Sequence, residues 1–385
     1  MIISEIVTVC SPYMSDYVAE EITCLGYKIS KSNQLTVVTE GSIEDTMRLN
    51  LHLRTANRVL FLITRFKARD SDALYNNAID FPWDQWMDKS GYMHIHSVVK
   101  NNTIRDNRFA NLRLKDAIAD FFNKKYKIRP NAGPLKNQTV IFLHWQDDEC
   151  SIYLDTSGET IAKHGYRTNP WKAPMIESLA AGVIMETGWD GSNSFVNPMC
   201  GSGTLAIEAA LMASGAAPGL SRSNFGFMHC LLYDSRKWRK LHEEAKSNVQ
   251  RKVKVDIIAT DLDVQAIEAA KENAANAGVE KHIDFIRCDF KFTPIPDKKG
   301  VVLLNPEYGS RLGEAEQLEI TYKEIGDFLK QKCQGYEGYI FSGNLDLVKK
   351  IGLKPSKKTP FLNGTIECRL LKYELYEGSQ KEINV

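Results

Sequence analysis

A chain of 385 residues is too long for one core and fits two or three domains. No apolar run approaches the roughly 20 residues needed to span a bilayer, and Met1 to Cys10 lacks a basic stretch followed by an apolar segment. Neither a membrane span nor a secretory signal is therefore expected. The eight cysteines contain no Cys-x-x-Cys pair, which argues against a zinc site or a disulfide framework and for reduced thiols in cytoplasm. No metal is expected.

The net charge of +1 does not suggest a polyanion partner, but its distribution does. Between Lys100 and Lys136 stand ten basic residues, among them Lys100, Arg105, Arg108, Arg113 and Lys115. Only Asp106, Asp116 and Asp120 oppose them within that stretch, a local excess of seven that can attract phosphates or form a solvated helix face.

The first sixty residues read as a small α+β unit. Ser4 to Val9 is a strand, Ser15 to Leu25 a helix, Leu35 to Thr39 a strand, and Ile43 to Leu51 a helix opened by Ser42. Leu60 to Thr64 is the next strand; Asp80 to Trp83 is a loop, and His94 to Val99 a strand. Asn111 to Lys127 has helical spacing. Thr139 to Trp145 and Glu149 to Asp155 are strands joined by Gln146-Asp147-Asp148.

After Gly158 the pattern changes. A loop from Gly165 to Pro170 leads into a helix from about Pro174 to Thr187, and strands then alternate with helices. Phe195-Val196 precedes a helix over Thr204 to Ser214, and Asp256 to Thr260 precedes one over Val264 to Ala277. Ile283 to Arg287, Val301 to Leu304 and Gly338 to Ser342 are further strands. Such alternation predicts a parallel sheet covered on both faces, with a ligand site at the strand carboxyl ends. Thr359 to Leu362 and Thr365 to Tyr373, joined by Asn363-Gly364, predict an antiparallel hairpin at the sheet edge.

Two turns carry the chemistry. Asn197-Pro198-Met199-Cys200-Gly201-Ser202-Gly203-Thr204 follows a strand and opens a helix. Its glycines let backbone approach a ligand, and the helix start offers free N–H groups. Asp261, directly off the next strand before Leu262, can accept from both hydroxyls of a ribose, whereas Asp263 reads as a helix cap. Asp289, after a third strand, could meet an adenine amino group while Phe290 packs against the ring.

The second turn is Asn305-Pro306-Glu307-Tyr308. An exocyclic base amine is a poor nucleophile because its lone pair is delocalised. The side-chain oxygen of Asn305 and the carbonyl of Pro306 can each accept one of its hydrogens and orient the nitrogen toward a methylsulfonium. Tyr308 would stack on a base that has left its helix. Together the turns suggest methyl transfer to a nucleobase amine.

These strings, in this order, resemble the class I S-adenosylmethionine-dependent amino-methyltransferases. Lys163-His164-Gly165-Tyr166-Arg167 with Ala173 to Ala180 looks like the segment ahead of the cofactor turn in THUMP-domain RNA methyltransferases. Ala216 to Arg222 with Asn224 to Phe227 looks like an insert of the RlmL-like branch, and Asn363 to Leu370 like its terminal hairpin.

The resemblance implies an α/β fold: a Rossmann-like methyltransferase domain, mostly parallel with a terminal antiparallel hairpin, over 159–385. Before it would stand a ferredoxin-like unit over 1–60 and a THUMP-like region over 61–158. It implies S-adenosylmethionine as cofactor, held by Asn197 to Thr204, Asp261, Leu262, Asp289 and Phe290. The product would be N2-methylguanosine in 23S ribosomal RNA or a large-subunit precursor. Arg167 and the Thr168–Ala173 loop would help close the pocket, and Arg167 is also a candidate RNA contact.

Asn197 stands where an acidic residue is common, and Glu307 where proline is usual. Glu307 could accept from guanine N1–H, or could face solvent or pair with an arginine such as Arg311. Transfer RNA as substrate, adenine N6 methylation of nucleic acid, and a non-catalytic RNA-binding assembly factor remain alternatives.

Overall fold

The computed structural model describes residues 2–171, 175–308 and 315–376. They cluster into two compact units. One combines Met1–Ser11, Val18–Ala162 and Arg222–Ser247; the other combines Pro12–Tyr17, Lys163–Ser221 and Asn248–Val385.

The first unit contains β1 (Ser4–Cys10), most of α1 (Ser15–Cys24), β2 (Ile29–Ser32), β3 (Thr36–Gly41), α2 (Ile43–His52) and β4 (Ala56–Lys67). It continues through α3 (Ser71–Ile79), β5 (Tyr92–Lys100), α4 (Asn107–Tyr126), β6 (Asn131–Ala132), β7 (Thr139–Gln146) and β8 (Glu149–Asp155). All eight strands form one sheet in the order β2-β3-β1-β4-β8-β7-β5-β6. The boundary expected at residue 60 falls inside β4, whose twelve residues pair with β1 on one side and β8 on the other.

Ser42 opens α2 as expected. Its side chain accepts from the Asp45 amide, and the Asp45 carboxylate accepts from the Ser42 amide at 2.7 Å. β7 and β8 meet through Asp147-Asp148 alone, because Gln146 pairs with Glu149. Asp147 takes φ +53°, as a tight hairpin demands.

The second unit is a covered α/β sheet, as the alternation predicts. It runs through α5 (Glu177–Glu186), β9 (Ser194–Pro198) and α6 (Thr204–Ala213). α7 (Ser235–Ser247) follows in the chain but clusters with the first unit. The second unit resumes with β10 (Ile257–Asp261), α8 (Val264–Asn276), β11 (Asp284–Arg287), β12 (Gly300–Leu304), α9 (Ala315–Lys332) and β13 (Glu337–Ser342). It ends with α10 (Leu345–Lys349), β14 (Lys357–Asn363) and β15 (Ile366–Glu374). The expected start of α5 at Pro174 lies outside the described residues.

Strand order is β11-β10-β9-β12-β13-β15-β14. β9 to β13 are parallel, and β15 runs antiparallel to both β13 and β14. Gly300–Leu304 is buried at every position, which is why it reads as an apolar run and not an alternation. Its core includes Val302, Leu304, Tyr322, Ile325, Leu329, Ile340 and Leu371.

The terminal hairpin is present with its turn one residue later than expected. Asn363 pairs with Ile366, leaving Gly364-Thr365 as the loop with Gly364 at φ +62°. A two-residue turn with glycine first matches the twist of paired strands. Connectivity leaves β9 toward β10 and β11 on one side and meets β12 on the other, so a crevice opens where β9 and β12 end. Both chemistry-bearing turns sit there.

Candidate functional site

The turn after β9 is held in left-handed backbone at Met199, Gly201 and Gly203, with φ of +56°, +55° and +81°. The two glycines do different work. A Cβ on Gly203 would lie 2.9 Å from the Ala270 Cβ, so that glycine permits α6 to approach α8. A Cβ on Gly201 would meet nothing within 4 Å, leaving open room over the backbone for a ligand.

Asp261 anchors the turn. Its Oδ2 accepts from the Gly201 N–H at 2.9 Å and its Oδ1 from the Asp263 N–H at 2.9 Å. Asp263 caps α8 by accepting from the Gln265 amide. Between them Leu262 is exposed, an apolar side chain at the rim of the crevice. Cys200 donates its N–H to the Thr260 carbonyl, and burial together with the Asp261 charge pushes its thiol well above the usual range.

Asn197 is buried beneath this turn, with Pro198. Its Nδ2 donates to the Leu303 carbonyl at 2.8 Å, extending the β9–β12 pairing by one side chain. Its Oδ1 is buried and has no hydrogen-bond partner among the described residues. A buried acceptor without a donor is costly. An ammonium group entering from the Gly201 side would satisfy it, so the residues present fit the methionine end of the implied cofactor.

Arg167, also considered as an RNA contact, is turned inward. Its Nη2 donates to Thr204 Oγ1 at 2.9 Å and to the Met175 carbonyl at 2.5 Å, and lies 3.8 Å from the buried Glu177 carboxylate. It ties the approach segment to the start of α6.

Two more polar residues, neither singled out in the sequence, fix the same loop. Asn273 of α8 accepts from the N–H groups of Thr168 and Asn169 and donates to the carbonyls of Asn169 and Ser202. Glu208, a carboxylate inside apolar α6, accepts from the Tyr166 hydroxyl at 2.8 Å and meets His164 Nδ1 at 2.8 Å. A lone polar residue in a helical apolar stripe was the available signal in each case.

Asp289 follows β11. Its carboxylate accepts from the Lys291 amide at 3.0 Å and lies 3.5 Å from Lys291 Nζ. Phe290 is packed into the core, its ring perpendicular to Phe328 at 5.9 Å, with 8% of its surface exposed.

The turn after β12 carries a second orphan acceptor. Asn305 Oδ1 is buried with no hydrogen-bond partner among the described residues. Pro306 is buried, while Glu307 is exposed. The Tyr322 hydroxyl donates to the Glu307 carbonyl at 3.3 Å and lies 3.0 Å from Ser342 Oγ, fixing the turn from below. The Tyr308 hydroxyl accepts from Asn363 Nδ2 at 2.9 Å, and burial pushes its phenol above the usual range. Its ring lies close to Gly343, where a Cβ would come within 3.0 Å of Tyr308 Cε2. Arg311, the suggested partner of Glu307, lies outside the described residues.

The basic stretch of the first unit is less positive than its sequence implies. Arg113 pairs with Asp72 at 2.6 Å and lies over the Tyr75 ring, and Lys125 pairs with Asp84. Both acids come from outside the stretch. Arg108, Lys115 and Arg129 pair with Asp106, Asp116 and Asp120. Among the described residues Lys100, Arg105, Lys124 and Lys127 are exposed and make no ion pair. Phe109 and Leu112 of α4 are exposed beside them.

Comparison with known proteins gives three successive matches along the chain. Residues 164–372 match the family described as RMKL-like, methyltransferase domain. Residues 5–60 match the RlmL ferredoxin-like domain, and 68–155 the THUMP domain. A Syntrophotalea carbinolica protein named ribosomal RNA large subunit methyltransferase K/L is 36% identical over 93% of this chain and 52% of its own length. The chain thus spans about half the length of that relative. A Synechocystis sp. protein, whose name proposes an RNA methyltransferase, is 33% identical over 93% of each chain. A solved structure whose description proposes a methyltransferase, complexed with S-adenosylhomocysteine, superposes with TM-score 0.87 at 25% identity, covering 98% of this chain and all of that one.

Proposed function

Since the chain belongs to the RMKL-like methyltransferase family, we propose that it uses S-adenosylmethionine to methylate the N2 amino group of a guanosine in 23S ribosomal RNA. The observation that carries this reading is the buried orphan acceptor of Asn305, in the turn after β12, the strand that pairs with β9 ahead of the glycine turn. A buried oxygen without a donor is what a turn built to receive an N–H would leave.

When bound, the cofactor supplies an electrophilic methyl group. The residues of this chain hold and orient. With the cofactor bound, Gly201 would leave room for its amino-acid end, Asn197 Oδ1 would accept from its ammonium, Asp261 would accept from its ribose hydroxyls, and Leu262 and Asp289 would hold its adenine. Each Asp261 oxygen accepts one backbone N–H and keeps a further lone pair, so ribose hydroxyls can be received without giving up the Gly201 bond.

Opposite, Asn305 Oδ1 and the Pro306 carbonyl each accept one hydrogen of the guanine amine. That leaves the nitrogen lone pair aimed at the methyl, an effect of positioning and electrostatics more than of strong base. Tyr308 stacks on the extruded base. Glu307, exposed at the same turn, accepts from guanine N1–H; adenine has no hydrogen on N1 at neutral pH. The basic residues of the first unit contact phosphates with little reading of sequence.

The test is methyl transfer from labelled cofactor to total RNA and to DNA, with nucleoside analysis. N2-methylguanosine in large-subunit RNA, lost in Asn305→Ala, is the expected result. Label in transfer RNA or in N6-methyladenine would overturn the substrate assignment. Absence of any label from a protein that binds S-adenosylhomocysteine would favour a non-catalytic assembly factor.

A further inference from the structure

A groove of about 380 Å³ lies beside the Asn305–Tyr308 turn, lined by Gly343, Asn344, Leu345, Asp346, Glu367 and Arg369. Gly343 is its shared wall with the site. A Cβ there would lie 3.0 Å from Tyr308 Cε2 and 2.8 Å from Ile366 Cγ2, so Tyr308, the Gly343 backbone and Ile366 stand in van der Waals succession. Both Leu345 and Ile366 leave about half of their surface exposed, at 47% and 48%. Leu345 thus lines the groove and Ile366 adjoins its Gly343 wall, next to the residue read as receiving the target base.

The charges lining it decide between the two halves of a nucleotide. Asp346 is paired with Lys349 at 2.7 Å, and Glu367 lies 3.8 Å from Arg369 Nη2. Arg369 also donates to the Cys368 carbonyl at 2.9 Å, which engages part of its guanidinium inside the hairpin. With Asp346 neutralised by Lys349 and Glu367 beside Arg369, the groove carries no net positive charge to hold a phosphate. Aliphatic faces with an acceptor and a donor side by side suit the flat, hydrogen-bonding edge of a base.

We propose that this groove holds the base of a nucleotide adjacent to the target guanosine, so that the enzyme grips two neighbouring bases through the two sides of Gly343. The proposal rests on the reading of the Asn305–Tyr308 turn as the target-base site. It makes Leu345, Ile366, Glu367 and Arg369 substrate-positioning residues, with no part in cofactor binding.

The experiment is fluorescence anisotropy of RNA hexanucleotides carrying one guanosine, added to the full chain with S-adenosylhomocysteine present. In matched oligonucleotides one neighbour of the guanosine, on either side, is made abasic. Wild type should lose roughly tenfold in affinity for one of the two abasic RNAs, as expected for removal of a stacked base. The Leu345→Ala/Ile366→Ala pair, both at the surface, should bind intact and abasic RNA alike while retaining wild-type affinity for S-adenosylhomocysteine.

Equal binding of intact and abasic RNAs by wild type would overturn the proposal, as would failure of every hexanucleotide to bind at millimolar concentration. So would a variant that keeps the full discrimination. If Arg369→Ala flattens the salt dependence while base removal has no effect, the occupant is a phosphate and the proposal is wrong. The assay needs no turnover. Discrimination without methyl transfer would leave the groove standing and sink the methyltransferase reading; methyl transfer without discrimination would do the reverse.

Discussion

Asn363 donates to the Tyr308 hydroxyl at 2.9 Å, so the last residue of β14 positions the ring that follows β12. The two are 55 residues apart, and the link explains why a terminal hairpin belongs to the site. A neutral hydrogen bond of this kind contributes about 1 kcal/mol, or roughly fivefold in rate if it serves only to hold the ring. Asn363→Ala and Tyr308→Phe should each lower kcat by about that factor, and the double variant by no more than either alone. Tyr308→Ala, which removes the ring, should cost far more. Multiplying effects in the double variant would show that the two residues act independently.

The glycine turn separates stability from binding. Gly203→Ala must place a Cβ 2.9 Å from that of Ala270 at φ +81°, so it should lower the melting temperature by several degrees, for a cost on the order of 1–3 kcal/mol. Gly201→Ala meets no neighbour and carries only the backbone cost of about 1 kcal/mol. It should fold with a small loss of stability yet bind S-adenosylhomocysteine at least tenfold more weakly, because its methyl fills the space over the turn. Calorimetry of binding and thermal scans on both variants check this. Tight binding by Gly201→Ala would show that the ligand does not approach there.

Order of elements and placement of the two turns were legible because each depends on local pattern: apolar runs for buried parallel strands, glycines at positive φ, Ser42 and Asp263 as caps. What was not legible depends on distance. Asp72 and Asp84 neutralise Arg113 and Lys125 across roughly forty residues, so counting charges along one stretch overstated its excess. Phe290 looks like a ring beside a ligand, and only the packing of Phe328 from α9 shows how much of it belongs to the core. α7 went unread although Trp238, Leu241 and Ala245 recur at helical spacing; Ala245 alone is buried, and the Trp238 contacts with Phe225 and Phe227 appear only in the fold. The length of β4 hid as well, since a strand paired on both sides continues through Arg58 and Arg65, whose charges are met by Asp155 and Glu5.

Arg167 shows a charged residue whose placement decides its role. Thr204 and the Met175 carbonyl accept from it, and Glu177 beside it is 2% exposed. Arg167→Ala would leave that carboxylate buried without its cation, a loss on the order of 3 kcal/mol. It should also loosen the start of α6, so that S-adenosylhomocysteine affinity falls by tenfold or more while RNA affinity stays within about twofold. Arg167→Lys should restore part of the stability but not the two-partner geometry. An RNA affinity that falls while cofactor affinity holds would return Arg167 to the nucleic-acid surface.

Asp155 gives the first unit an acid limit. Burial alone would raise its carboxyl, but His96 at 3.3 Å and Arg58 at 2.5 Å outweigh that and hold it below the ordinary value of 3.8. A folded-state value below the unfolded one means that the unfolded chain binds more protons between the two. Stability therefore rises with pH across that window, is fully present above it, and is lost as pH falls through the folded value. Asp155→Asn removes the charge that Arg58 faces and should cost on the order of 3 kcal/mol at pH 7. The gap in unfolding midpoint between wild type and variant should stay constant from about pH 6 to 8, and should narrow below about pH 4. Circular dichroism melts across that range measure it; a gap that widens on acidification would mean that the Asp155 carboxyl is raised by its burial and not lowered by its partners.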